Sequence, residues 1–424
     1  MNDYCIATYR SFDEKADFHK KAQSIAVGLT VGSWTDLPEV QKAHMAPHLG
    51  LVIDVKISEA GADPVALDRY ADIQIAYPDL NFSRDIPALL VTVFGKLSMD
   101  GRIKLLDLRF SPAFLSHFPG AKFGVQGVRD LVGVQDRPLL MSIFKSVIGH
   151  DILGLREQFL QQALGGVDLI KDDEILFENP LTPLTKRVNI CMEAAKEAEQ
   201  TTGQKLLYAV NLTGSTSRLA EHAEKAIAAG ANALLFNVLA YGFDTLHELS
   251  ANPNISVPIM AHPAMAGAFY PSPYHGISAS LLLGKLMRIA GADLVLFPSP
   301  YGSVVMPKEE NMAIKQTLLS AHLEQDYMYT HTEGIHLVSS LKPSFPVPSA
   351  GIHPGLVPLI LKDFGQEVVV NAGGGVHGHP MGAAAGGQAF RQAIDAKLQN
   401  ITLVQYAEEH PELQAAIAAW GVKE

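Results

Sequence analysis

The stretch "GGVDLIKDDE" (residues 165–174) holds a helix stop, a strand and a charged cluster within ten positions. The pair Gly165–Gly166 suits the end of a helix. Val167 to Ile170 is a short apolar run that reads as a buried strand. Its C-terminal end delivers Lys171, Asp172, Asp173 and Glu174 to one spot. A lysine beside three acids is either a surface salt-bridge cluster or a seat for a hard cation. Mg2+ takes oxygen ligands, and two carboxylates are a usual protein share. If strand alternation persists, Asp172 points away from Asp173, leaving Asp173 and Glu174 as the candidate ligands. A free ammonium is no ligand. Lys171 converted by CO2 to a carbamate would be an oxygen donor.

The same unit recurs along the chain. From about residue 138, apolar runs alternate with longer amphipathic stretches. The runs are 139–145, 167–174, 206–212, 233–238, 258–262, 292–298, 345–351 and 367–375. Between them lie helix patterns such as "LREQFLQQAL" (155–164) and "STSRLAEHAEKAIAAG" (215–230), with Gly230 and Gly291 as further stops. Strands alternating with helices predict βαβ units and a parallel sheet. Eight of them predict a (β/α)8 barrel, with an open doubly wound sheet as the alternative. In such a barrel the active site lies at the C-terminal strand ends. Here those ends are Lys145, the KDDE cluster, Asn211, Asn237, His262, "FPSPYGS", "PSAGIH" and "NAGGG".

Residues 1–130 have another rhythm and predict a small α+β domain ahead of a barrel over 131–424. The stretches 48–58 and 72–79 alternate like strands, and 13–29 has helical spacing. The apolar run "ALLVTVFGKL" (88–97) reads as one more strand, with Lys96 after it. The chain has 424 residues, 48% hydrophobic and 18% charged, with a net charge of −11. That composition argues against disorder and against nucleic acid as a partner. Two distant cysteines, Cys5 and Cys191, give no disulfide framework. No run of 18 apolar residues exists and no apolar signal core opens the sequence, so the expectation is a cytoplasmic protein that meets no membrane.

Four further features are candidates for chemistry. "NAGGGVHGHPMG" (371–382) follows a strand and precedes a helix pattern. Its glycines let backbone amides approach an anion, and loops seven and eight of such barrels often hold phosphate. A flexible turn is the plainer reading, and His377 and His379 fit solvated turn positions. Lys96 is either a surface lysine or a general base. Lys145 suits a substrate-binding ammonium, and His262 suits a hydrogen bond to a substrate oxygen.

These segments, in this order, resemble the RuBisCO large subunit over most of the chain. "GGVDLIKDDE" matches the family's metal segment. "RPLLMSIFK" matches its first barrel strand and gives Lys145. "GGGVHGHP" and "SAGIH" match its phosphate loops and give Gly373, Gly374 and Gly351. "GSWT" (32–35) is similar to a small-domain segment. The resemblance implies a ferredoxin-like small domain before the barrel. It implies one Mg2+ per subunit on carbamylated Lys171, Asp173 and Glu174. It implies substrate contacts from Lys145, Lys171, Asp172, Asp173, Glu174, His262, Gly351, Gly373 and Gly374. It also implies a homodimer whose active site lies at the subunit interface.

Departures from the carboxylase pattern are equally informative. Gly28 stands where carboxylases have a glutamate. The loop "FPSPYGSVV" has no lysine before Lys308. Pro263 replaces an arginine of the second phosphate site, and "DLVL" (293–296) lacks its histidine. A one-phosphate substrate, enolised but not carboxylated, follows. "VFGKLSMDG", "AFYPSPYHGIS" and "GADLVLFPSPYGSV" resemble the RuBisCO-like (form IV) branch that enolises 2,3-diketo-5-methylthiopentyl 1-phosphate in methionine salvage, where the base is a small-domain lysine, here Lys96. The alternatives are a RuBisCO-like isomerase of another sulfur-salvage sugar phosphate and a noncatalytic metabolite-binding relative.

Overall fold

The computed structural model describes residues 3–32, 38–61, 68–320 and 341–423. Most of "GSWT" and residues 324–340, the greater part of the long connection before strand seven, lie outside the described residues. Among the described residues, thirteen strands form two sheets. The first contains β1 (Tyr4–Phe12), β2 (Leu51–Ser58), β3 (Tyr70–Pro78) and β4 (Ile103–Arg109). β1 runs antiparallel to both β3 and β4, and β2 antiparallel to β3. The helix Phe18–Gly28 covers this sheet with Phe18, Ala22, Ile25 and Ala26.

The run 88–97 is not a strand. Residues Ile86–Leu90 form an α-helix that continues through a π-type turn, Val91–Gly95, and ends in the 3-10 turn Leu97–Met99. Asp85 caps the start by accepting from the Ala88 N–H at 2.7 Å, with proline in the first turn; such a cap contributes about 1 kcal/mol. The buried residues Ile86, Leu89, Val93, Phe94 and Leu97 recur at helical spacing, while Val91 faces out. Lys96 therefore follows a helical turn.

The second sheet is the barrel. Its strands are β5 (Leu139–Phe144), β6 (Leu169–Asp172), β7 (Leu207–Asn211), β8 (Ala233–Phe236) and β9 (Ile259–Ala261). After the two-residue β10 (Gly276–Ile277) come β11 (Leu294–Pro298), β12 (Phe345–Ser349) and β13 (Val369–Ala372). All eight apolar runs of the second region supply a strand. Among the described residues every pairing between them is parallel, in the order β12-β11-β9-β8-β7-β6-β5-β13. Across the seam between β12 and β13, the Asn371 amide donates to Ser349 Oγ at 2.7 Å. The barrel is thereby nearly closed.

Side chains alternate as a pleated strand demands. Leu139, Met141, Leu169, Leu207, Ala209, Leu235, Met260, Leu296 and Val369 fill the lumen. Leu140, Phe144, Ile170, Tyr208 and Val210 pack outward. The helix Gly124–Val132 plugs the floor with Val125, Val128 and Val132. β10 leaves the barrel and pairs in parallel with β4, joining the two sheets. Among the described residues, no helix is long and apolar enough to cross a membrane.

Candidate active site

β6 decides the site. Leu169 points into the lumen and Ile170 points out. The alternation carries Lys171 and Asp173 to the mouth side and sends Asp172 outward. Asp172 accepts the Tyr208 hydroxyl at 2.6 Å, the Asn211 N–H at 2.9 Å and Arg187 Nη2 at 3.2 Å. It is fully buried. Its oxygens are taken by β7 and by Arg187 of the helix layer, which removes it from the substrate-binding set. It ties the strand to the helix Leu184–Thr202 instead.

The other charges meet at the mouth. Lys145, just past β5, places Nζ 3.0 Å from Asp173 Oδ2 and 3.4 Å from Glu174 Oε1. Lys171 Nζ donates to its neighbour's carbonyl, Asp172 O, at 2.9 Å and lies 3.5 Å from Glu174 Oε2. His262 Nε2 lies 3.6 Å from the same oxygen. Burial pushes the Lys171 ammonium down; Glu174 opposes this and Lys145 adds to it, giving a pKa of about 8. Burial alone would raise Glu174, but Lys171 and, to a smaller degree, Lys145 hold it well below the ordinary carboxylate range. Burial and the two lysines keep His262 neutral. Its Nδ1 accepts the Ala264 N–H at 3.2 Å, so Nε2 carries the proton and aims it into the mouth.

The donor set suits a hard cation. Among the described residues no three His, Cys, Asp or Glu side chains form a ready metal cluster. Asp173 and Glu174 supply two carboxylates, and a positive group, Lys145 Nζ, already stands between them. A carbamate on Lys171 would complete three oxygen donors. Carbamate formation needs the free amine, and the depressed pKa of Lys171 supplies it near neutrality.

The glycine loops face the same mouth. Gly351 has φ 68° after Ala350 at φ 73°. A Cβ on Gly351 would lie 2.5 Å from Ser303 N, and one on Gly302 would lie 1.5 Å from Ala350 O. The loops after β11 and β12 thus touch backbone to backbone. Gly373 caps the single turn Gly374–His377. A Cβ on Gly374 would meet no heavy atom within 4 Å, so its surroundings are open. His377 and His379 are not solvated: their Nε2 atoms pair with Ile143 O at 2.7 Å and Glu412 O at 2.9 Å. Among the described residues, four non-glycines have positive φ. Three of them, Ser146, Met265 and Ala350, sit just past β5, β9 and β12. Backbone strain of this kind gathers at functional sites.

Residues 124–420 match the family model of the ribulose bisphosphate carboxylase large chain, catalytic domain. The chain belongs to the RuBisCO large-chain family. The 2,3-diketo-5-methylthiopentyl-1-phosphate enolase of Geobacillus thermodenitrificans is 52% identical over 423 residues, covering 99% of this chain and 98% of that one. A rubisco-like protein (MtnW) from Alicyclobacillus acidocaldarius superposes with a TM-score of 0.88 at 46% identity, over 99% of this chain and all of the other. The dimeric archaeal Rubisco of Hyperthermus butylicus superposes with a TM-score of 0.85 at 29% identity, over 99% and 96%.

Within this RuBisCO-type barrel the departures are local. Lys308, the first lysine after the β11 loop, pairs with Asp363 at 2.7 Å on the following helix layer. Pro263 follows His262, and exposed Met265, Val304 and Val305 lie on the loops after β9 and β11. Lys96 is absent from the polar contacts of its own barrel mouth. It lines a cavity of about 380 Å³ in the small domain with Lys21, Ser24, Ile25, Gly28, Leu29, Leu97, Met99 and Asp100. Gly28 and Lys96 therefore share one pocket. Asn211 and Asn237 were visible in the sequence only as polar strand ends; the structure gives them partners on the KDDE turn.

Proposed function

We propose that this protein is a 2,3-diketo-5-methylthiopentyl-1-phosphate enolase, an isomerase of methionine salvage. It would convert its substrate to 2-hydroxy-3-keto-5-methylthiopentenyl 1-phosphate without carboxylation. The observation that carries the reading is 52% identity over 99% of the chain to an enzyme named for this reaction. The barrel mouth supports it chemically.

The amides of Gly351, Gly373 and Gly374 hold the phosphate, where the approach to Gly374 is open. Asp173, Glu174 and carbamylated Lys171 would hold Mg2+. When bound, Mg2+ supplies Lewis acidity toward the two vicinal carbonyl oxygens of the dione. Lys145 Nζ and the Nε2–H of His262 donate to those oxygens as negative charge develops. Lys96 Nζ takes the C1 proton. The electron pair of that C–H bond becomes the C1–C2 double bond, and the C2 oxygen takes up a proton to give the enol.

Met265, Val304 and Val305 offer apolar surface for the methylthio tail. A carboxylase needs cations for a second phosphate at that end. An unpaired buried arginine there would cost several kcal/mol against an apolar tail. The small-domain pocket around Lys96 contains no barrel residue. Val91 and Met99 beside it are exposed apolar side chains. Both facts favour a homodimer in which Lys96 serves the partner's barrel.

The test is direct. The purified protein, equilibrated with Mg2+ and bicarbonate, is given the diketone, methylthioribulose 1-phosphate, or ribulose 1,5-bisphosphate with labelled CO2. Enol formation from the diketone alone is expected. Turnover of methylthioribulose 1-phosphate instead, or fixation of label, would overturn the assignment.

A further inference from the structure

The turn carrying Asp173 and Glu174 is gripped from the neighbouring strand. Asn211, the last residue of β7, is 6% exposed. Its Nδ2 reaches the carbonyl oxygens of Glu174 at 2.9 Å, Asp173 at 3.2 Å and Leu176 at 3.2 Å. Its Oδ1 accepts both the Thr213 hydroxyl at 2.6 Å and the Thr213 N–H at 3.0 Å. Thr213 Oγ1 in turn accepts from Asn237 Nδ2 at 2.7 Å, and that amide also reaches Glu174 O at 3.3 Å. The backbone N–H of Asn211 donates to Asp172 Oδ2 at 2.9 Å. One residue therefore holds both the outward and the inward half of the KDDE segment.

The amide orientation follows from its partners. A flipped Asn211 would set Oδ1 against three carbonyl oxygens and Nδ2 against the Thr213 donors. Thr213 acts as the lock and Asn211 as the grip. We infer that Asn211 is a positioning residue for the cation seat, fixing the backbone of residues 173–176 so that the two carboxylates converge. The inference rests on the reading of Asp173 and Glu174 as Mg2+ ligands. Asn211 touches no reacting atom, so its effect runs through the two acids. Partners that orient ligands in this way typically account for 10–100-fold in metal affinity.

The test measures metal binding rather than turnover. Mn2+ is titrated into bicarbonate-equilibrated wild type, Asn211→Ala and Thr213→Val, with bound Mn2+ read by electron paramagnetic resonance. Asn211→Ala should weaken Mn2+ by about 10–100-fold. KM for the diketone at saturating metal should stay near the wild-type value. Thr213→Val removes the hydroxyl half of the lock and the Asn237 contact with it, keeps the grip of Asn211 on the turn, and should give a smaller weakening in the same direction. It also carries the test if Asn211→Ala does not fold. A purely structural role would lower the melting temperature and leave the Mn2+ affinity of the folded protein unchanged; that result overturns the positioning role alone. Absence of any saturable Mn2+ site in the wild type overturns the cation reading, and the positioning role with it.

Discussion

The two ends of the barrel treat buried charge in opposite ways. At the floor, Asp168 accepts two bonds of 2.8 Å from Arg137, one of 3.0 Å from Arg391 and one of 2.8 Å from the Leu140 N–H. Asp293 accepts three backbone N–H groups at 2.7–2.9 Å. At the mouth, the Lys145, Lys171, Asp173, Glu174 and His262 side chains approach one another at 3.0–3.6 Å. The floor spends its polar groups on closing the barrel. The mouth keeps its charges loosely paired, with three strained residues around them. Such groups reorganise little when a ligand replaces their present partners. Stability and chemistry are thus separated along a single axis.

Substitutions at each end should break different properties. Lys171→Met should abolish nearly all activity and metal binding, with a melting temperature no lower than the wild type, since a fully buried ammonium disappears. Wild-type turnover in CO2-free, metal-free buffer would contradict the carbamate. Lys96→Ala should lower kcat by about 10²–10⁴ with little change in KM. Label at C1 should wash out in the wild type and persist in the mutant. Mixed Lys96→Ala and Lys171→Met subunits should recover partial activity, and no recovery after proven exchange would place Lys96 in its own subunit's site.

Asp168→Asn tests the opposite end. It should cost about 3–5 kcal/mol of stability by breaking the ion pairs that two part-buried arginines make with a fully buried carboxylate. Turnover per folded molecule should hold, as measured by denaturant titration beside an assay. Gly374→Val separates ligand from fold. Its Cβ meets nothing within 4 Å, so thermal stability should stay while KM rises roughly tenfold, about one charge-assisted hydrogen bond. Equal use of a dephosphorylated substrate would refute the phosphate role.

The smallest effect is in pH. With Lys171 at about 8, its neutral form rises roughly fivefold between pH 7 and 8, and the rate of activation by bicarbonate and Mg2+ should follow. The linkage slope has the same sign at both ends and falls in different pH windows. Lys171 is depressed below its unfolded value near 10.4, so the unfolded chain binds more protons and stability rises between about pH 8 and 10. For Asp168, burial pushes the carboxyl up, but Arg137 and Arg391 outweigh it and hold it low. Its contribution is full above the ordinary carboxylate pKa and is lost as pH falls below that. Unfolding titrations of Lys171→Met and Asp168→Asn should each lose one limb of this profile.

Much of this was legible in the sequence. Eight apolar runs ending in polar residues gave the barrel, because a strand buried on both faces needs continuous apolar sequence while its C-terminal end does not. Alternation alone sent Asp172 away from Asp173. The run 88–97 misled because Val91, Thr92 and Val93 favour strands, whereas the helix is set by the Asp85 cap and by burial at helical spacing. Arg187 as the partner of Asp172, the grip of Asn211 and the backbone contact of Gly302 with Ala350 are tertiary. They join residues from separate elements, and no local pattern encodes them.

The two-residue strand β10 has a consequence for modularity. It supplies β4 with its outer neighbour, and Lys104 from β4 donates to Tyr270 O at 2.7 Å and Ser272 O at 2.6 Å just before it. A gene cut between the two sheets would leave β4 as a bare edge, open to pairing with other chains, and would leave β10 without a sheet. The small domain is therefore a poor unit for shuffling or transplantation, and a chimera that keeps it folded has to carry residues 270–278 along with it.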